Sequence, residues 1–150
     1  MTEFLRKEYP TTPYSTNVRL GSIPLEFVAR PLTSEQARQL SRLKRYCDAV
    51  IFLPDRTIIV EAKMRAEPGI VTLLALYRRL FKETPDLRER WGLPLEMMLL
   101  YAVEDPVTIE FAREVGIRAV QYRPEWIEEW LASVSVRKRE ATLTSVPGGV

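Results

Sequence analysis

Residues 47–63 have the sequence CDAVIFL-PDR-TIIVEAK, and the predicted architecture follows from this segment. Two runs rich in Val and Ile are separated by Pro54, Asp55 and Arg56, a spacing and composition typical of a β-hairpin. The pattern predicts two antiparallel strands over residues 47–53 and 57–62. A turn centred between Pro54 and Asp55 sets the register of the hairpin.

The predicted register places Asp48 opposite Glu61. Directly opposed side chains of an antiparallel pair have Cβ atoms about 4.5 to 5.5 Å apart, so the two carboxylates share one place. Both strands are apolar on either face, and unpaired charge in such surroundings is costly. Lys63 projects from the same face as Glu61, because side chains alternate along a strand. It supplies one positive charge and leaves room for a divalent metal ion.

Apolar periodicity and turn residues predict the other elements. We expect helices over residues 2–9, 34–43, 68–82, 106–115 and 124–132, and strands over residues 14–20, 95–103 and 117–122. Strands that alternate with helices imply parallel connections in the second half of the chain, whereas the first half is antiparallel. The sequence therefore predicts an α/β sandwich with a mixed sheet of about five strands. Residues 1–136 are predicted to form one domain, and residues 137–150 a basic, flexible C-terminal tail.

Asp48 on one strand and Glu61-Ala62-Lys63 at the end of the next resemble the PD-(D/E)XK nuclease superfamily, also called restriction endonuclease-like. The resemblance covers about residues 2–103, where the order of elements matches the family core. It implies a restriction endonuclease-like three-layer sandwich, with a mixed central sheet flanked by helices. It also implies that Asp48, Glu61 and the Ala62 backbone carbonyl bind Mg²⁺ or Mn²⁺. Lys63 would assist the attacking water and the phosphate.

The chain departs from the family pattern in three places. A helix is inserted over residues 34–43, Cys47 stands where the family has Pro, and the helix after Lys63 lacks the Gln of the QxxxY signature. Tyr77 is the candidate for the Tyr of that signature. The first helix of the family often carries an extra acidic ligand, for which Glu8 is the candidate here, with Glu3 as the alternative.

Four arginines and one tyrosine near the predicted site are candidates for binding the nucleic-acid backbone. They are Arg42, Arg45, Arg65, Tyr77 and Arg78. For Arg42 a solvated helix end is an equal alternative, and for Arg78 an ordinary surface charge is the favoured one. Trp126 and Trp130 lie four residues apart on one helix, where core packing is favoured over base stacking or a dimer contact.

Composition excludes several other kinds of chemistry. The sequence has no His and one Cys, which excludes Ser-His-Asp catalysis, His-ligated zinc and disulfides. Cys47 is predicted to be a buried, inert thiol. There is no GxxxxGK[ST] loop and no GxGxxG, so no nucleotide cofactor is expected. No signal peptide and no long apolar run is present, so we expect a cytoplasmic protein without membrane contact.

Two hypotheses of different classes remain. The first is an Mg²⁺-dependent, endonuclease-like phosphodiesterase that cuts DNA with structural selectivity or weak sequence specificity. The second is a catalytically silent nuclease-fold protein that serves as a DNA-binding or assembly component of a phage particle or repair complex. The net charge of +2 provides no global field for nucleic acid, although Arg, which pairs with phosphate bidentately, outnumbers Lys by 17 to 5. A homodimer or a protein assembly partner is an open alternative.

Overall fold

The computed structural model describes residues 1–22, 33–35, 38 and 45–144, with the side chains of residues 135–144 left out. The strands are β1 (Tyr14–Leu20), β2 (Arg45–Phe52), β3 (Thr57–Arg65), β4 (Leu95–Val103) and β5 (Ile117–Gln121). The α-helices are α1 (Thr2–Glu8), α2 (Pro68–Phe81), α3 (Pro106–Glu114) and α4 (Glu125–Thr144), and a 3-10 helix spans Pro85–Arg90.

The five strands form one sheet in the order β1-β2-β3-β4-β5. β1, β2 and β3 pair antiparallel, whereas β3, β4 and β5 pair parallel. The parallel pairs are those joined through α2 and α3, because a parallel connection needs a crossover that a tight turn cannot provide. The mixed sheet flanked by helices confirms the predicted α/β class.

Each face of the sheet carries its own apolar core. One core contains Leu74 and Phe81 of α2 and Ile109 of α3, packed against Ile59 and neighbouring sheet residues. We call this side the α2 face. The other core is built on Phe4 and Leu5 of α1, and we call it the α1 face. Helices on both faces of a strongly apolar sheet produce the predicted three layers.

Most element bounds agree with the predictions to within one to three residues, and two features differ. Helix α4 continues to Thr144, well beyond the predicted end at Ala132, and it crosses the predicted domain boundary at residue 136. That boundary stays a prediction. The 3-10 helix at Pro85–Arg90 had no counterpart among the predicted elements. The predicted helix over residues 34–43 lies mostly outside the described residues.

Trp126 and Trp130 do not pack in the core. Their exposed fractions are 52% and 44%, so the favoured prediction of core packing is wrong. The buried residue of this stretch is Ile127, because the inward-facing line of α4 runs through it and leaves both indoles outside. In the part of the chain described, no helix combines the length and the apolar character needed to cross a bilayer.

Candidate metal centre

The hairpin has the predicted register from its turn as far as Ala49 and Val60, the last pair before Asp48. Val50 lies opposite Ile59 and Ala49 opposite Val60, and the ladder between β2 and β3 ends there. Beyond it, Asp48 Oδ2 accepts a hydrogen bond of 2.7 Å from the backbone N–H of Ala62. The carboxylate thus takes the place of the backbone acceptor that a continued ladder would have supplied. Asp48 is tied to the Glu61-Ala62-Lys63 tripeptide by this bond.

A left-handed residue on β1 lies opposite Asp48. Asn17 has a φ of 52°, and the pairing of β1 with β2 skips the Asn17 and Asp48 position. The alternation of side chains changes at the same place, since Cys47 and Val50 both pack on the α2 face. This feature was not among those predicted. Asn is one of the few non-glycine residues that tolerate a positive φ, so the only Asn of the sequence was its signal.

Glu61 is buried, with 4% of its surface exposed. Its Oε1 lies 3.3 Å from Lys63 Nζ, as expected for side chains on the same face of β3. Its Oε2 is buried and has no hydrogen-bond partner among the residues that the structure describes. Burial raises the pKa of Glu61, the negative charge of Asp48 raises it further, and Lys63 opposes both. A buried carboxylate oxygen without a partner is costly and requires an explanation.

The donor set at this place fits a hard divalent cation. Oxygen ligands are those that Mg²⁺ prefers, and it is commonly held by one or two carboxylates together with several waters. Asp48 and Glu61 provide two carboxylates. In a strand the N–H and C=O of one residue point to the same neighbouring strand, so the Ala62 carbonyl faces the side of β3 from which Asp48 approaches. Over the described ranges, no cluster of three or more Cys, Asp or Glu side chains is suited to a metal.

Glu8 is not brought to this place. It is exposed on α1, and Phe4 and Leu5 anchor that helix to the α1 face of the sheet. Glu61 projects from the α2 face, because it alternates with Val60 and Ala62 on the opposite one. The sheet therefore separates the two acids, and the structure does not supply the predicted third acidic ligand.

Arg45 and Arg65 remain candidates for contacts with a phosphate backbone. Both are exposed, Arg45 at the start of β2 and Arg65 at the end of β3. Arg65 lies two residues after Lys63 and shares its face of the strand. Arg42 lies outside the described residues.

Tyr77 differs from its predicted role, whereas Arg78 agrees with the favoured alternative of an ordinary surface charge. Tyr77 is buried on α2, and its hydroxyl donates to the Tyr46 backbone carbonyl, so it cannot contact a nucleic-acid backbone. Burial raises the pKa of Tyr77, and the charge of Glu61 adds to the effect. The hydrogen bond from Tyr77 to Tyr46 links α2 to β2 close to Asp48. Arg78 is exposed and directed to the Gly116 carbonyl at 3.4 Å, before β5, rather than to the site.

Cys47 is the buried thiol that the sequence predicted. Its Sγ lies 3.6 Å from the Val18 carbonyl. Burial raises the pKa of Cys47 to about 12, and the nearby charge of Glu61 contributes. The thiolate, which is the nucleophilic form, is therefore scarce at neutral pH, and Cys47 is unsuited to nucleophilic catalysis.

Comparisons with known proteins bear on the fold. No protein-family model and no curated protein matches the sequence. Similar solved structures include the protein of unknown function AF1548, with a TM-score of 0.50 and 15% identity over 89% of this chain and 64% of that one. They also include a repair endonuclease from Pyrococcus abyssi, with a TM-score of 0.47 and 14% identity over 82% and 46% of the two chains. Protein VC1899 from Vibrio cholerae has a TM-score of 0.45 and 18% identity over 80% and 27%.

This chain thus spans between 27% and 64% of the length of these structures. At such low identity the likeness to AF1548 bears on architecture alone. The mixed five-stranded sheet, with its parallel and antiparallel halves and a helical layer on each face, is the architecture that the sequence resemblance implied. The chain has the restriction endonuclease-like fold.

Proposed function

We propose that this chain is a metal-dependent nuclease that hydrolyses the DNA backbone with Mg²⁺ or Mn²⁺ held by Asp48 and Glu61. The observation that carries the proposal is the buried Oε2 of Glu61. Within the described part of the chain it has no hydrogen-bond partner, and it lies in a site with a second carboxylate and a lysine. A cation at this place would compensate the charge that the surrounding core does not. Paired acids with a raised pKa beside a specific partner are typical of functional sites.

The chain's own residues divide the work. Asp48, Glu61 and the Ala62 carbonyl would hold the ion, whose chemistry is Lewis-acid activation of water and stabilisation of negative charge on phosphate. Lys63 Nζ contacts Glu61 at 3.3 Å while 42% of the side chain stays exposed, so the ammonium is fixed at one side and open to substrate at the other. It would orient water and stabilise the charge that develops on the phosphate.

The proposed cutting is selective for DNA structure or only weakly sequence-specific. Arg45 and Arg65 are exposed next to the site, and cations of this kind bind phosphates. Phosphate contacts position a duplex without conveying its sequence.

The test is cleavage of labelled single-stranded, duplex, flap and four-way-junction DNA in Mg²⁺ or Mn²⁺, with EDTA as the metal-free control. We expect Asp48→Asn to abolish cutting, because the amide oxygen can still accept from Ala62 N–H while the charge is lost. Lys63→Ala should lower the rate by about 100-fold or more. Asp55→Asn is the matched control, since Asp55 is an exposed acid at the turn of the same hairpin. Asp48→Asn protein that cuts at the wild-type rate contradicts the proposal.

One observation favours the second candidate, a silent nuclease-fold protein that binds DNA or an assembly partner. Lys63 already pairs with Glu61 and offsets part of its charge without any metal. The two candidates differ in metal binding, because an ion that binds only the folded state raises the melting temperature by mass action. A rise in Tm at millimolar Mg²⁺ or Mn²⁺ supports the nuclease, and an unchanged Tm supports the silent protein.

A further inference from the structure

A small apolar pocket lies beside the proposed metal centre. Its volume is about 180 Å³, and it is formed between the ends of β3 and β4 and the start of α4. The lining includes Ala62, Lys63, Leu100, Tyr122, Trp126 and Ile127. An apolar cavity of about 150 Å³ accommodates a benzene ring, so this one is large enough for a single planar ring.

Two aromatic side chains give the pocket its character. Tyr122 is held in place by two contacts. Its hydroxyl donates a hydrogen bond of 2.7 Å to Glu3 Oε1, and the centroid of its ring lies 5.3 Å from that of the Phe4 ring. Trp126 is 52% exposed although it is the largest apolar side chain of the lining. An indole that stays in water next to a preformed apolar pocket offers a flat face on which a second ring can stack.

The pocket and the proposed centre share one piece of β3. Ala62 lines the pocket and also binds Asp48 through its N–H, and the next residue is Lys63. Neighbouring residues of a strand lie about 3.3 Å apart and project from opposite faces. The pocket lies mainly on the α1 face, but it reaches the end of β3, where Lys63 itself belongs to its lining. A phosphate bound at Lys63 would therefore lie at the edge of the pocket, with an adjacent base next to it.

The lining of the pocket is mainly apolar, with Lys63 as a charged member. The adjoining surface carries charges of both signs and so has no excess of positive charge for a phosphate; its charged residues are Glu3, Glu125, Glu129, Lys7 and Arg123. Lys63 and Arg65 attract phosphate on the side of the metal centre. A flat, neutral group is therefore the occupant that the apolar lining favours.

We propose that the pocket binds one unpaired nucleobase of the DNA substrate, stacked on Trp126, next to the phosphate that is cut. The inference rests on the proposed nuclease function and makes it more specific. A base inside a duplex is stacked on both sides and cannot enter, so the preferred substrate carries an unpaired base, as in a bulge, a flap or a single strand.

The experiment measures binding in EDTA, by fluorescence anisotropy, to three labelled DNA duplexes. One is fully paired, one has a single-base bulge, and one has an abasic site in the bulge. We expect the wild-type chain to bind the bulged base about 5- to 150-fold more tightly than the abasic bulge, as stacking on an aromatic ring provides. Trp126→Ala should remove this preference. Trp130→Ala is the matched control, because Trp130 is an exposed indole one turn further along α4 and does not line the pocket.

Equal binding of the bulged and abasic duplexes by the wild-type chain overturns the pocket proposal, and so does a preference that survives Trp126→Ala. The same duplexes incubated with Mg²⁺ test the nuclease separately. Cleavage without any preference for the bulged base leaves the nuclease standing and overturns the pocket. A preference that depends on Trp126, without cleavage, supports the pocket and overturns the nuclease.

Discussion

Glu61 is an acid buried beside another acid, and its environment disfavours the charged form. The folded state binds its proton more tightly than the unfolded chain does, since burial and Asp48 raise the pKa of Glu61. The free energy of unfolding therefore falls as pH rises above the ordinary pKa of 4.5 and through the raised one. Each unit of pKa difference corresponds to about 1.4 kcal/mol of lost stability.

Glu61→Gln should accordingly stabilise the metal-free protein at neutral pH. We expect its advantage over the wild type in urea unfolding with EDTA to be largest at alkaline pH and to shrink as the pH falls towards the ordinary pKa of 4.5. Added Mg²⁺ should raise the Tm of the wild type and leave that of Glu61→Gln unchanged. Glu104→Gln, at an exposed acid, is the control. A Glu61→Gln protein that is less stable than the wild type at pH 8 would argue that the carboxylate is satisfied within the fold.

Asn17 is expected to position Asp48 through the backbone. Glycine adopts a positive φ without cost, whereas a β-branched residue resists it and favours a regular strand. Asn17→Gly should therefore keep the rise in Tm with Mn²⁺, and Asn17→Val should lose it. Hydrogen exchange of the Ala62 amide, which is bonded to Asp48, provides a second readout and should be faster in Asn17→Val. If Asn17→Val keeps both the Tm response and slow exchange, the left-handed residue has no part in the site.

Glu61 and Asn17 illustrate which parts of the site can be predicted from the sequence and which cannot. The pairing of Val50 with Ile59 and the meeting of Lys63 with Glu61 followed from strand alternation and turn length, which are local rules. The break at Asn17 was not predicted, because it depends on the neighbouring strand and not on the hairpin. Glu8 was misplaced for a similar reason, since the face on which α1 packs is decided by tertiary contacts.

The 3-10 helix at Pro85–Arg90 illustrates an element that periodicity does not reveal. Six residues are too short for an apolar repeat, and Leu87 is the buried member. Its function in the fold is to deliver Arg90 to the hairpin turn. The Arg90 guanidinium donates to the carbonyls of Leu53 and Arg56 and to the hydroxyl of Thr57. Long helices and apolar strands were predictable because each has its own periodic pattern of apolar residues. The contacts of Arg90 with the hairpin turn have no such pattern in the sequence.

Arg90→Ala should destabilise the protein by about 2 to 4 kcal/mol, because two carbonyls lose a charged donor in a half-buried setting. Urea unfolding measures the loss. The turn lies at the end of the hairpin away from Asp48, so the rise in Tm with Mn²⁺ should persist in the variant. Glu89→Ala, at an exposed neighbour on the same helix, is the control and should change stability little. An Arg90→Ala protein as stable as the control would show that the contacts of Arg90 with the turn contribute nothing.

In the whole molecule, the proposed metal centre lies where the hydrogen-bonded pairing of β2 with β3 ends. The sheet is covered on both faces by apolar cores, which hold β3 fixed along its length. The acid pair projects to the α2 face and the pocket lies mainly on the α1 face, both near the final residues of β3. One strand of the sheet thus presents two different surfaces to a substrate that crosses its end.

Truncation can show which part of α4 contributes to the stability of the domain. Among the described side chains of α4, Ile127 is the buried one, and the helix continues to Thr144. We expect a chain that ends at residue 136 to keep the Tm of the full chain within a few degrees, because its buried contact is intact. A chain that ends at residue 124 also loses Ile127, whose burial is worth about 1.5 to 3 kcal/mol, and should melt at a clearly lower temperature. Thermal unfolding of the three chains decides the matter. Equal losses in both truncated chains would mean that residues 137–150 belong to the folded domain and that the boundary predicted at residue 136 is misplaced.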